Sequence, residues 1–234
     1  MQYTDKNNTL QYMHQTSWGV STRLIGAIIM THGDNEGLVL PPRIAPFQLV
    51  VIPVASHKPG VTEKAQELLE TIKQAGIRAK IDLSDNSPGW KFAEYEMKGF
   101  PLRLEVGPRD IENGQCVLVR RDTREKTIVK FEDLTTVIPQ LLEDIQNALF
   151  QKALKNREEH TYSATSVDEM KQILSKNVGF IKSMWCGDRA CEEKIKEETG
   201  MPSRCMPFEQ EHLSDVCPVC GKPAHKMVVW GIAY

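Results

Sequence analysis

The sequence predicts an α/β protein: a small mixed sheet flanked by helices, followed by a smaller α+β unit. Two observations carry this. Between residues 47 and about 150, apolar stretches of strand length alternate with stretches whose apolar residues recur at helical spacing. After residue 156 the chain turns polar, and five of its 6 cysteines lie beyond residue 180.

In chain order, residues 1–46 open on a polar stretch, Met1 to Leu10. Next come Trp18-Gly19-Val20-Ser21-Thr22-Arg23 and the apolar run Leu24 to Met30. Gly33 and Gly37 punctuate a loop, and Pro41 and Pro42 lead into extended chain. So short a segment cannot bury a core of its own, and it reads as the tail of a domain that begins earlier.

Phe47 to Val54 is almost wholly apolar, as in a strand covered on both faces. Thr62 reads as a helix N-cap, with Val61, Ala65, Leu68, Leu69 and Ile72 on one face and Gly76 ending the helix. Ile77, Ala79, Ile81 and Leu83 alternate with polar residues, giving a half-buried strand. A helix over 91–98, strands at 102–106 and 116–120 and a third around 127–129 follow. A long helix from Leu134 to Leu154 closes the unit. Residues 156–165 read as a linker, and Ser166-Val167-Asp168-Glu169 as a capping box opening a helix through Leu174. Short strands, the cysteines and a last apolar strand from His225 to Tyr234 complete the chain. The expected division is 1–46, 47–155 and 156–234.

Composition bounds function only weakly. The 41% hydrophobic and 26% charged content is that of an ordinary soluble protein, and the formal net charge of -2 lacks the basic excess of a non-specific nucleic-acid binder. Any RNA contact must come from a local patch. The longest apolar stretch, near Leu49 to Ala55, is interrupted by Pro53 and is strand-sized. With no signal peptide, the expectation is a cytoplasmic protein with no membrane contact.

Cys186 and Cys191 are separated by four residues and Cys217 and Cys220 by two, each pair beside a glycine, Gly187 or Gly221, where the backbone can turn tightly. Four thiolates in a tetrahedron make a closed Zn2+ site with no position for an activated water, so the metal is expected to be structural. The alternative is a set of buried free thiols. Cys116 and Cys205 are left as core or surface thiols.

Arg23 follows Ser21-Thr22 and precedes small and apolar residues, so a strand delivers a guanidinium at the mouth of a helix, where its fork can grip phosphate oxygens. Lys91, Arg103, Arg109 and Asp110 sit at strand and helix ends, where side chains can reach an exposed ligand. The plain alternative there is salt bridging, for instance between Arg103 and Glu105.

The strings Thr16 to Arg23, Met30-Thr31-His32-Gly33-Asp34 and Gly37 to Arg43 together resemble motif 3 of the prolyl-tRNA synthetases and its exit into their anticodon-binding domain. Pro88-Gly89-Trp90-Lys91-Phe92, Glu94 to Gly99 and Pro101 to Asp110 resemble the prolyl-specific middle of that domain. The terminal four-cysteine region, ending in Trp230-Gly231-Ile232-Ala233-Tyr234, resembles the extra zinc domain of the archaeal and eukaryote-like forms. The resemblance implies a remnant of a class II catalytic domain, then a mixed-sheet anticodon-binding domain, then a small α+β zinc domain. In the parent reaction ATP and proline form prolyl-adenylate, and the prolyl group passes to tRNA(Pro), with Mg2+ assisting and the complete enzyme a homodimer. The resemblance gives Arg23 the γ-phosphate of ATP and Ser21 a place against the nucleotide. It sets Glu96, Arg103, Arg109 and Asp110 closest to the anticodon bases, and folds Tyr234 back toward the active site. The family's motifs 1 and 2 and its proline pocket are not found in these residues, so the expectation is that the chain alone does not activate proline. The rival readings are a free-standing tRNA- or RNA-binding module and another class IIa synthetase.

Overall fold

The computed structural model describes residues 1–232, and among these the chain divides into two compact units, Met1–Gln146 and the part from Asn147 onward.

The first unit begins with a hairpin of β1 (Gln2–Thr4) and β2 (Leu10–Tyr12), paired antiparallel and fully exposed. The sequence reading passed over it because its strands bury no apolar face. Residues 13–21 form no regular element, so no strand leads directly into Arg23. Helix α1 (Arg23–His32) begins there without a side-chain cap and buries none of its residues.

The core of this unit is a five-stranded sheet in the order β4-β3-β5-β6-β7. The parallel part joins β3 (Leu49–Pro53) to β4 (Ala79–Ile81) and to β5 (Leu102–Val106). The antiparallel part adds β6 (Gln115–Arg120) and β7 (Lys126–Lys130). Every residue of β3 is buried, which explains its continuous apolar run.

Helix α2 (Val61–Gln74) buries Val61, Ala65, Leu68, Leu69 and Ile72. Its N-cap is Gly60, and Thr62 lies inside the first turn with its hydroxyl donating to the Ser56 carbonyl at 3.4 Å. The following strand is shorter than its alternation implies, because Leu83 is already exposed. Helix α3 (Pro88–Met97) starts earlier than its apolar residues suggest, with the Ser87 hydroxyl accepting from Trp90 N. Its Phe92 and Tyr95, with Phe100 beyond its end, pack on Val50 and Ile52 of β3. A short helix α4 (Pro108–Glu112) was not expected, five residues being too few for a periodic signal. Helix α5 (Leu134–Glu159) carries Pro139 in its second turn, where the missing N–H removes one hydrogen bond of the helical ladder.

The second unit corrects the expected linker. Residues 156–159 finish α5, and β8 (Thr161–Ser163) pairs in parallel with β9 (Phe180–Trp185). The polar composition hid these elements because β8 is an edge strand, half exposed. The four-stranded sheet has the order β10-β11-β9-β8, with β10 (Ser203–Cys205) and β11 (Lys226–Gly231) antiparallel to their neighbours. Helix α6 (Val167–Leu174) has Ser166 as its cap, accepting from Glu169 N at 3.2 Å, while the Glu169 carboxylate takes Thr165 N rather than Ser166 N. Helix α7 (Arg189–Thr199) completes the unit. One buried cluster gathers Met170, Ile181, Ile195, Met201, Val228 and Trp230, and the Trp230 indole donates to Ser183 Oγ at 2.8 Å. A second, smaller cluster contains Met184, Ala224 and Met227 together with Cys191 and Cys217.

Candidate functional site

Four cysteines converge in the second unit. Cys186 follows the end of β9, Cys191 lies in the first turn of α7, and Cys217 and Cys220 flank a tight turn closed by Gly221 N donating to the Cys217 carbonyl at 3.0 Å. The residues after the two knuckle cysteines Cys186 and Cys220 adopt positive φ, 90° at Gly187 and 69° at Gly221, so glycine is the residue that turns there without strain. All four sulfurs lie within 4.8 Å of one another, with Cys186 Sγ at 3.7 Å from Cys191 Sγ and 3.8 Å from Cys220 Sγ. A tetrahedral thiolate site with metal–sulfur bonds near 2.3 Å has edges of about 3.8 Å. The four thiols are unoxidised, and their arrangement fits one metal ion.

The local electrostatics favour ligation at one corner. Burial raises the Cys217 thiol, but the N–H groups of Cys220, Val219 and Cys186 outweigh it and bring it down to about 7. Burial and the neighbouring sulfurs push Cys191 upward, and burial also raises Cys186. Crowded thiols resist ionisation until a cation neutralises them, which is the condition a metal meets. Outside the cluster, Cys205 is exposed, and Cys116 is buried, which pushes its thiol up to about 12.

The guanidinium and carboxylate residues of the first unit meet one another. Arg103 on β5 donates from Nη1 to Glu96 Oε1 at 2.7 Å and from Nε to Glu105 Oε1 at 2.9 Å, and its guanidinium lies 4.1 Å from the Phe92 ring centroid. The side chain of Arg103 is only 9% exposed and that of Glu96 29%, so Glu96 is the more accessible member of the pair. Asp110 accepts from Gly107 N at 2.8 Å and thereby closes the start of α4. Arg109, one residue earlier, is exposed and makes no ion pair among the described residues. Lys91 does not reach outward: it is 1% exposed, with Nζ 3.1 Å from the Asp82 carbonyl and 3.6 Å from its carboxylate. The cause is its position on the sheet-facing side of α3, where burial keeps an ammonium only if it is paired. Asp82 in turn touches Tyr95, whose phenol is pushed up to about 12 by burial and by that carboxylate.

Arg23 and Ser21 stand together at the exposed start of α1, where Arg23 N donates to Ser21 Oγ at 3.4 Å. Trp18 is 92% exposed. Tyr234 lies outside the described residues.

One ion pair escaped the sequence reading. Arg121 at the end of β6 forks onto both carboxylate oxygens of Asp34, at 2.7 and 2.6 Å. Its Nε also donates to the Glu96 carbonyl at 2.8 Å. These partners are 87 and 25 positions distant along the chain, and no local pattern announces them.

No helix of the described residues is long and apolar enough to cross a membrane. Residues 48–141 match the family described as anticodon binding domain, and residues 167–234 match the family described as prolyl-tRNA synthetase, C-terminal. The full chain is 62% identical to the proline–tRNA ligase of Clostridium novyi (strain NT), covering 100% of this chain and 49% of that protein. It is 59% identical to the proline–tRNA ligase of Lachnospira eligens and to proline–tRNA ligase 2 of Bacillus thuringiensis subsp. konkukian, with coverage of 100% and 49% in both cases. The chain thus spans about half the length of the curated relatives it matches. Carrying an anticodon-binding domain followed by the family's C-terminal domain, it belongs to the C-terminal part of the prolyl-tRNA synthetases.

Proposed function

We propose that this chain supplies anticodon recognition to a proline–tRNA ligase, the ATP-dependent enzyme that joins proline to tRNA(Pro) through prolyl-adenylate with Mg2+. The observation that carries the reading is the match of residues 48–141 to the anticodon-binding family within a chain 62% identical throughout to a proline–tRNA ligase. Its functional division is 1–46, 47–155 and 156–234, with the first part contributing Ser21 and Arg23 to the ATP site of a cytoplasmic homodimeric enzyme.

The exposure of the patch residues supports a narrower choice of RNA contacts. A carboxylate accepts from the N–H groups on a guanine's Watson–Crick edge, and Glu96 is the half-exposed carboxylate of the patch. Arg103, largely buried between Glu96 and Glu105, aims Glu96 rather than competing for the base. Arg109 is free to donate to base or phosphate acceptors. Asp110, engaged with Gly107 N, holds the turn that presents Arg109. The four cysteines would hold Zn2+, whose role is to complete the small core around Met184, Ala224 and Met227.

Arg23 opens, and the exposed Ser21 just precedes, a helix that buries none of its residues. A guanidinium grips phosphate usefully when a walled site excludes water, so proline activation is not expected from these residues alone. Titration of the chain with tRNA carrying a proline anticodon, against the same tRNA with its two guanines replaced, tests the reading. Selective binding supports it, and equal or absent binding overturns it.

A further inference from the structure

The Arg121 fork joins two places that the proposed function treats separately. Asp34 lies two residues beyond α1, in a turn where Asp34 and Gly37 exchange backbone hydrogen bonds at 3.1 and 3.2 Å. Glu96 lies in the last turn of α3. Arg121 binds the carboxylate of the first and the carbonyl of the second, with its side chain 2% exposed. The two segments are also sewn together by backbone: Leu38 N donates to the Met97 carbonyl at 2.9 Å, and Leu40 N to the Gly99 carbonyl at 3.3 Å. A Cβ at Gly37 would stand 2.6 Å from the Met97 backbone, so only glycine lets the turn come this close. A second ion pair, Arg124 to Glu36 at 2.8 Å, braces the same turn from the chain just beyond Arg121.

We infer that Arg121 is a positioning residue for anticodon discrimination, fixing the end of α3 and coupling its state to the turn behind α1. The inference rests on the reading of Glu96 as a base-contacting group. A guanidinium holding a carboxylate and a carbonyl in one plane sets both with little freedom. Glu96 is held at its other end by Arg103, so a base that pulls on its carboxylate pulls on a residue whose carbonyl is tied to Asp34. The two ion pairs, Arg103–Glu96 and Arg121–Asp34, then act in series through one peptide unit.

The test compares the chain with Asp34→Asn, which keeps the shape and loses the charge, and with Ile138→Val, a control that trims the buried α5 face of the same unit without touching the pairs. Affinities for a proline anticodon stem-loop and for the same stem-loop with one guanine replaced give a discrimination ratio. Amide exchange at Gly37, Leu38 and Leu40 is followed with and without RNA. Asp34→Asn is expected to lower the ratio about fivefold or more, the lower range of a coupling between sites, and to abolish RNA-induced protection at those amides. Ile138→Val should leave both unchanged. If the wild-type chain discriminates but Asp34→Asn matches the control, the inference alone fails. If the wild-type chain does not discriminate, the anticodon reading fails and the inference with it.

Discussion

The cysteine cluster stands out in the sequence by residue type and spacing, the charged patch of the anticodon-binding unit by its place at element ends and by resemblance to the prolyl-tRNA synthetases, and the two differ in what engages their side chains. At the cluster, the sulfurs meet one another and, at Cys217, backbone N–H groups, and none of the four is held by a charged side chain among the described residues. The four are spaced as the corners of a thiolate tetrahedron, and Cys191 and Cys217 are buried in the small core with Met184, Ala224 and Met227. In the patch, most candidate residues are already occupied. Arg103 is divided between Glu96 and Glu105, Asp110 caps α4, and Lys91 is buried against Asp82. A group of cysteines that could hold a metal ion can thus be read nearly whole from sequence. Of the residues proposed to read bases, Glu96 and Arg109 are the more exposed, while Arg103 and Asp110 are engaged within the unit.

The contrast can be broken at either end. The largest effect should follow metal removal: structural zinc contributes binding free energy on the order of 10 kcal/mol to folding in small domains. Exhaustive chelation, or Cys217→Ser, should melt the sheet of the second unit, and metal analysis should find one zinc per chain before treatment. A chelated protein with unchanged circular dichroism and thermal unfolding would remove the structural role. Next is Arg103→Met, which leaves two carboxylates facing each other without their cation. Breaking one partner of a buried pair costs about 3–5 kcal/mol, measurable by urea unfolding. A loss under about 0.5 kcal/mol would show that Arg103 is not a structural anchor.

Arg109→Met separates contact from scaffold. Exposed and without an ion pair, it should leave stability within about 0.5 kcal/mol while weakening stem-loop binding by about 1–3 kcal/mol if it meets a base edge. The smallest effect concerns acid. The Arg121 fork holds the Asp34 carboxyl well below its ordinary value of 3.8, with burial opposing and the Glu36 N–H assisting. A depressed carboxyl contributes stability that is complete above the unfolded value and is lost as pH falls through the folded one. The stability gap between wild type and Asp34→Asn should therefore narrow as the pH is lowered from about 5 toward 2, and a constant gap would deny the ion pair its part.

Much of the fold was legible because its signals are local. The apolar run at 49–53, the five-residue stripe of α2 and the glycine-flanked cysteines each declare themselves within a few positions. What failed was weakly patterned or distant. The exposed hairpin of β1 and β2 and the edge strand β8 bury too little to imprint a pattern, and α4 is shorter than two turns. Thr62 resembled a cap, but Gly60, with φ 82°, turns the chain first. Lys91 resembled a ligand-seeking cation because its buried partner, Asp82, lies on another element. The Arg121–Asp34 pair, 87 positions apart, is beyond any local reading.

The proposal amounts to a division of labour, with anticodon discrimination assigned to residues 47–155 and the metal to folding of residues 156–234. Stem-loop titration of the zinc-loaded and zinc-stripped chain, side by side, tests it most directly. Stripping is expected to melt the second unit while the preference for the proline anticodon over its guanine-replaced counterpart is kept. Loss of that preference together with the metal would contradict it.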